Sequence, residues 1–229
     1  MRFSEIAEIL GGNIDVHCEN DDISELVIDS RQATSHPNSL FFCLKGAHHD
    51  GHQFIPQLVE KGIRNFIVSS DAQVAGDLNL IRVKDTLDAL QKLVAHHRSS
   101  FHIPVIGITG SNGKTMIKEW LSTVLSEKYK VVKSPKSYNS QVGVPLSVWQ
   151  MKREHEIGVF EAGISQRGEM EKLEKIIRPT IGIFTNIGEA HSEGFESLKE
   201  KIEEKSRLFA HTDKIICSKD QPEIYDYLK

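Results

Sequence analysis

The sequence predicts an α/β fold, with a small α/β domain followed by a larger one on a mainly parallel, phosphate-loop-type sheet. Three observations carry that expectation. From Thr86 onward, short apolar runs alternate with segments of helical periodicity, the pattern of a parallel sheet with helices on both faces. The apolar run at 105–108 enters a glycine-rich turn and leaves as a helix at Lys114, which is the strand–loop–helix setting of a phosphate site. Before Lys84 the pattern is less regular, so a boundary is expected there, giving domains 1–84 and 85–229.

In chain order, Ser4 as N-cap with Ile6, Ile9 and Leu10 on one face predicts a helix stopped by Gly11-Gly12. Short apolar runs predict strands over 26–29, 40–44, 65–68 and 80–83. Phe54, Leu58 and Val59 point to a helix ending at Lys61-Gly62. Leu87, Leu90, Leu93 and Val94 share a helix face that leads to a break at His102-Ile103-Pro104. Strands are then expected at 105–108, 131–132, 157–161, 181–185 and 214–217, and helices at 114–126, 169–177 and 198–209.

Composition narrows the function. A net charge of −4 over 229 residues argues against a general nucleic-acid binder. Cys18, Cys43 and Cys217 are widely spaced and form no CxxC pair, so neither a zinc knuckle nor a disulfide framework is supported. The first residues lack the apolar stretch of a secretory signal. No run approaches the roughly 20 apolar residues of a membrane span. A soluble, cytoplasmic protein with reduced thiols is expected.

The strongest local signal is Val105-Ile-Gly-Ile-Thr-Gly-Ser-Asn-Gly-Lys-Thr115. Gly110, Ser111, Asn112 and Gly113 would turn backbone N–H groups onto a phosphate chain, helped by the helix N-terminus. Lys114 would neutralise β- and γ-phosphate oxygens, and the Thr115 hydroxyl would hold Mg²⁺. The strict pattern needs glycine where Ile108 stands, so this is a variant loop. No Asn-Lys-x-Asp guanine motif is present.

Downstream, Glu161 closes one predicted strand, placing a carboxylate where Mg²⁺ on ATP would lie. His191 follows another strand, and Lys205 lies on the next helix. Singly, these read as a strand-end carboxylate, a loop histidine and a surface lysine. Their order after a Gly-x-Thr-Gly-Ser-Asn-Gly-Lys-Thr loop resembles the Mur ligases of peptidoglycan synthesis and their folylpolyglutamate synthetase relatives. The resemblance implies that Glu161 and His191 bind divalent metal, Mg²⁺ with Mn²⁺ tolerated. It also implies that Lys205 is carbamylated by CO₂ and helps hold a second metal. The segment Lys136-Ser-Tyr-Asn139-Ser-Gln-Val-Gly-Val-Pro145 resembles a family stretch with paired asparagines. Here the second is Ser140, leaving Asn139 as the contact to phosphate or substrate.

In the first domain, Asp29-Ser30-Arg31, the run 40–46 and Asp50-Gly51-His52 have little chemistry alone, and the histidines at 48, 49 and 52 match no standard metal spacing. Together they resemble the UDP-binding domain of the family. That resemblance assigns Ser30, Arg31, Gly46, Asp50, Gly51 and His52 to UDP or the muramoyl sugar.

Thr115-Met-Ile-Lys118-Glu119 and Glu161-Ala-Gly…Gly168-Glu169-Met are closer to the members that add D-alanyl-D-alanine. Members that add the third amino acid would show Glu-x-Ser-Ser-His. The implied reaction uses ATP to convert the terminal carboxylate of UDP-N-acetylmuramoyl-tripeptide to an acyl phosphate, which the amine of D-alanyl-D-alanine attacks. The family also implies a third, Rossmann-like domain for the amino substrate, which is absent before Lys229, and a central domain cut short there. Some members are fused to an alanine racemase, on which this sequence has no bearing. The competing class is a nucleotide-binding module without turnover.

Overall fold

Helix α1 (Phe3–Leu10) buries Phe3, Ile6 and Ala7 in the computed structural model, which describes residues 1–15, 22–33, 36–46, 49–74, 76–188 and 194–229. The N-cap is Arg2, not Ser4, because the Glu5 carboxylate accepts the Arg2 N–H at 2.9 Å and starts the helix two residues earlier. There follow β1 (Asn13–Asp15), β2 (Glu25–Val27), β3 (Ser39–Phe42), a 3₁₀ turn (Gly51–Phe54), α2 (Ile55–Glu60), β4 (Asn65–Ser69) and β5 (Asn79–Val83). They form a five-stranded sheet of order β1-β5-β4-β3-β2, parallel except where β1 runs antiparallel to β5.

All four residues of β3 are buried, as expected of an inner strand covered on both faces. Phe41 and Phe66 meet edge to face at 6.2 Å between centroids, over a core that includes Leu58 and Ile63. At the strand starts, Asn79 donates to Asn65 Oδ1 at 2.9 Å, and Asn65 donates to the Pro37 carbonyl at 3.2 Å. This pair satisfies two buried amides and sets the β4–β5 register.

The remaining elements are α3 (Thr86–Ser99), β6 (Val105–Thr109), α4 (Lys114–Ser126), β7 (Val131–Lys133), α5 (Gly143–Val148), β8 (Ile157–Glu161), α6 (Glu169–Ile177) and β9 (Ile181–Phe184). After them come α7 (Leu198–Ser206), a 3₁₀ turn (Arg207–Phe209), β10 (Lys214–Cys217) and α8 (Pro222–Leu228). Their five strands are all parallel, in the order β10-β9-β6-β8-β7. The central β6 is wholly buried. Ile117, Leu121 and Leu125 of α4 pack on Ile106, Ile108 and Val159. The chain crosses from β8 to β9 over β6, so the carboxyl ends of these three strands form the crevice where open α/β sheets bind ligands.

The chain divides into units Met1–Leu93 and Val94–Lys229, so the division falls inside α3, not near Lys84. The reason lies in the bonding of that helix. Thr86 and Lys92 donate to the carbonyls of Cys43 and Leu10, whereas Arg98 bonds to the second unit. Three other elements, β1, α5 and α8, were not anticipated. Strand β1 is exposed at every residue and has no apolar pattern to read. Helix α5 carries Pro145 in its first turn, where proline is tolerated, within a β-like apolar run.

Arg98 is 5% exposed, and its guanidinium donates to the carbonyls of Ile177, Phe101 and Arg178 at 2.8, 2.7 and 3.0 Å. It thus closes the carboxyl ends of α3 and α6. Arg98→Ala leaves those acceptors unpaired and is expected to cost about 3 kcal/mol. The check is a lower denaturant midpoint at unchanged slope.

Candidate functional site

The phosphate loop is shaped by its neighbour in the sheet. Gly110 has φ 142, and a Cβ there would collide with the Thr185 hydroxyl and lie 2.9 Å from the Asn186 carbonyl. Only glycine fits both the angle and the space. Ser111 N–H donates to the Asn186 carbonyl at 2.8 Å, Asn112 N–H to Asn186 Oδ1 at 2.9 Å, and Thr185 Oγ1 to the Asn112 carbonyl at 2.6 Å. Gly188 N–H donates to Ser111 Oγ at 3.1 Å. Gly113, left-handed at φ 78, then turns the chain into α4, whose N-terminus has no side-chain cap. Its first N–H groups and its dipole therefore face the loop's mouth, ready for an anion.

Lys114 Nζ donates to the carbonyls of Gly110 and Ser111 at 2.9 and 3.2 Å. Burial holds its amine below the usual lysine range, with Glu161 opposing the shift. Across the mouth, Thr115 Oγ1 donates to Glu161 Oε2 at 2.8 Å. Glu161 is fully buried, and its other oxygen, Oε1, has no hydrogen-bond partner among the described residues. Burial raises its pKa, while the Thr115 hydrogen bond and then Lys118 and Lys114 pull it back. A buried, half-satisfied carboxylate beside a hydroxyl is the oxygen donor set of a hard divalent cation.

Lys205 is no surface lysine. It is 4% exposed, and Nζ lies 3.3 Å from the Gly110 carbonyl. Burial, then Lys114 and Lys201, push its pKa down to about 7. Helix α7 is held by the preceding residue, Glu204, whose Oε1 accepts N–H groups of Gly168 and Met170 at 2.7 and 3.2 Å. That bond caps the N-terminus of α6 from a second helix and turns Lys205 toward the loop.

A cleft of about 360 Å³ opens beside these groups, lined by Lys114, Asn139, Gly163, Ser165, Glu169 and Lys205. The Asn139 carbonyl accepts Gly163 N–H at 2.8 Å. Lys118, fully buried, donates to the carbonyls of Ser134 and Lys136 and so shapes the segment that leads to Asn139. The structure therefore brings Gly110, Ser111, Asn112, Gly113, Lys114, Thr115, Asn139, Glu161 and Lys205 to one mouth. His191 lies outside the described residues. No three His, Cys, Asp or Glu side chains cluster for a metal among the described residues. Sequence reasoning missed the Thr185–Gly188 clasp and Glu204. Lys118 stood in a quoted motif, yet nothing in its spacing announced a buried anchor.

In the first unit Arg31 pairs with Asp29 at 2.7 Å, holding that carboxyl at about 2, and the Arg31 side chain is 87% exposed. Ser30 is buried, and its carbonyl accepts Lys61 Nζ at 2.7 Å. Gly46 N–H donates to the His49 carbonyl at 2.8 Å. Asp50 accepts both the N–H and Nδ1 of His52, and His52 Nε2 accepts Ser69 N–H at 3.0 Å. Both ring nitrogens of His52 are thus engaged in tying its loop to β4. Gly51 is packed against the Cys43 backbone. His48 is outside the described residues.

Residues 108–229 match the family model described as the Mur ligase middle domain, and 22–98 that of the Mur ligase family catalytic domain. The UDP-N-acetylmuramoyl-tripeptide–D-alanyl-D-alanine ligase of Treponema pallidum is 39% identical over 192 residues, covering 80% of this chain and 41% of that protein. The Bacillus subtilis ligase of the same name is 35% identical, covering 89% and 44%. A crystal structure of MurF from Acinetobacter baumannii superposes with a TM-score of 0.86 at 26% identity, covering 97% of this chain and 51% of that one. MurF from Thermotoga maritima in complex with ADP gives 0.78 at 30% identity, covering 88% and 47%. The chain spans a little under half the length of these curated relatives.

No helix among the described residues is long and apolar enough to cross a membrane. The Lys205 amine, at about 7 against an ordinary 10.5, makes a pH prediction. Between those values the unfolded chain binds a proton that the folded chain lacks, so the group's contribution to stability rises with pH. The wild-type melting temperature, relative to Lys205→Met, should therefore climb from about pH 7 to about pH 10. A difference that stays flat over that window would contradict the depressed amine.

Proposed function

The chain belongs to the Mur ligase family, and from that premise we propose that it supplies the nucleotide-sugar and ATP sites of a ligase adding D-alanyl-D-alanine to UDP-N-acetylmuramoyl-tripeptide. The observation that carries this reading is the buried Glu161 with its unpartnered Oε1, facing Thr115 and Lys114 at the mouth of the phosphate loop. The names of the relatives and the ADP bound to the Thermotoga maritima protein support it.

The uncapped start of α4, whose first N–H groups have no intrahelical acceptor, would hold the phosphate chain of ATP. Lys114 leaves the Gly110 and Ser111 carbonyls for the β- and γ-phosphate oxygens. Thr115 and Glu161 would hold Mg²⁺ (or Mn²⁺), with His191 and a carbamylated Lys205 as the further ligands the family resemblance implies. The ion would neutralise charge on the transferring phosphoryl group. The depressed amine of Lys205 suits carbamylation, since only a neutral amine adds CO₂, releasing one proton and leaving an anion.

The tripeptide carboxylate, in the cleft beside Asn139, takes the γ-phosphoryl group and ADP departs. The amine of D-alanyl-D-alanine then displaces phosphate from the acyl phosphate. Lys114 stabilises the charge in transit. In the first unit, the exposed Arg31 would contact UDP or the muramoyl sugar. Ser30, Gly46, Asp50, Gly51 and His52 build the wall for UDP or the muramoyl sugar.

Two assays on the full-length ligase test this reading. Lys114→Ala should lower turnover by at least ~10², about 3 kcal/mol of transition-state stabilisation. Near-normal turnover in a folded variant would remove the loop from the mechanism. Lys205→Ala should abolish most activity, and acetate should restore part of it by filling the anionic position. Wild-type-like activity without acetate would leave Lys205 no role in catalysis.

A further inference from the structure

Lys201 lies one turn before Lys205 on the same face of α7. It is 2% exposed, and its Nζ donates to the Gly188 carbonyl at 2.6 Å. Gly188 is the residue whose N–H meets Ser111 Oγ at 3.1 Å, and Ser111 Oγ returns to the Gly188 carbonyl at 3.4 Å. On its other side this segment is held by Gln221, whose Oε1 accepts Ile187 N–H at 2.8 Å. So α7 sets two lysines across the loop: Lys205 on the carbonyl of Gly110 and Lys201 on that of Gly188.

Lys201 and Lys114 are both close enough to depress the Lys205 amine. Gathering like charges in a buried place is unfavourable. A neutral donor would serve to hold one carbonyl. A lysine there adds positive field at the phosphate loop, which a polyanion would use.

We infer that Lys201 is a further positioning residue of the phosphate site. Through Gly188 it holds the Ser111 side of the loop, and it adds its positive charge to that of Lys114 in the field that meets a nucleoside di- or triphosphate. This rests on reading the loop as a phosphate site.

The test is calorimetric titration of Mg-ADP into the chain and into K201M, K201R and K199M. Lys199 is an exposed residue of the same helix, so K199M removes an equal charge away from the site. K201M should bind ADP about tenfold more weakly, the loss of one charge-assisted anchor, with K201R and K199M close to the unaltered chain. Should K201M not fold, K201Q, shorter and uncharged, carries the same comparison. Binding by K201M, or by K201Q in its place, as tight as that of K199M would overturn the inference. So would equal weakening of the two methionine variants, since net charge alone would then explain it. Absence of ADP binding by the unaltered chain would overturn the phosphate-site reading itself, a separate outcome.

Discussion

The second unit of this protein depends on one close approach, the passage of Gly110 against Thr185 and Asn186. A side chain at position 110 has no room there. The contact exists because β9 lies directly beside β6 in the parallel sheet. Three bonds from Ser111, Asn112 and Thr185 then hold the loop open before any ligand arrives. Such preorganisation leaves the free N–H groups at the start of α4 fixed in direction, so that an anion could be met without rearrangement. It also explains why Ile108 can replace the usual first glycine. Residue 108 is an interior strand position, wholly buried on β6, and the turn does not begin until Gly110.

Electrostatic cost is concentrated at the same place. Lys114, Lys201 and Lys205 lie within mutual reach, and Glu161 is buried with one oxygen unsatisfied. Sites that violate the rule of paired, satisfied interior charges are where function resides, with the cost offset elsewhere in the fold. Here the offset is visible in well-satisfied polar groups away from the mouth. Arg98 closes two helix ends through three carbonyls, and Glu204 caps α6 from α7. By accepting those N–H groups Glu204 fixes α7, the helix that carries the buried Lys205.

The first unit uses the same economy on a smaller sheet. His52 sits between Asp50 and the Ser69 amide, so one residue of the Asp-Gly-His segment fastens the loop while Arg31, fully in solvent beyond its Asp29 pair, stays available.

By itself the sequence determined all the strands and most of the helices of the second unit, with bounds at 114–126, 157–161, 169–177 and 214–217 that the structure reproduces. Amphipathic period and glycine placement are local properties, and they survive folding when every level agrees. It also pointed to the phosphate loop, to Glu161 from its place at a strand end, and to Lys205 only through its order along the chain. It could not show strand β1, whose three residues are all exposed, or α5, whose β-like composition is overruled by packing. Nor could it distinguish Lys205 and Lys118, buried, from any lysine on a polar helix. Burial, and with it the depressed Lys205 amine and the clasp of Thr185 and Asn186 on the loop, arises from contacts between residues some 70 to 95 positions apart. Those contacts exist only after the sheet has placed β9 beside β6, so only the tertiary structure could decide them.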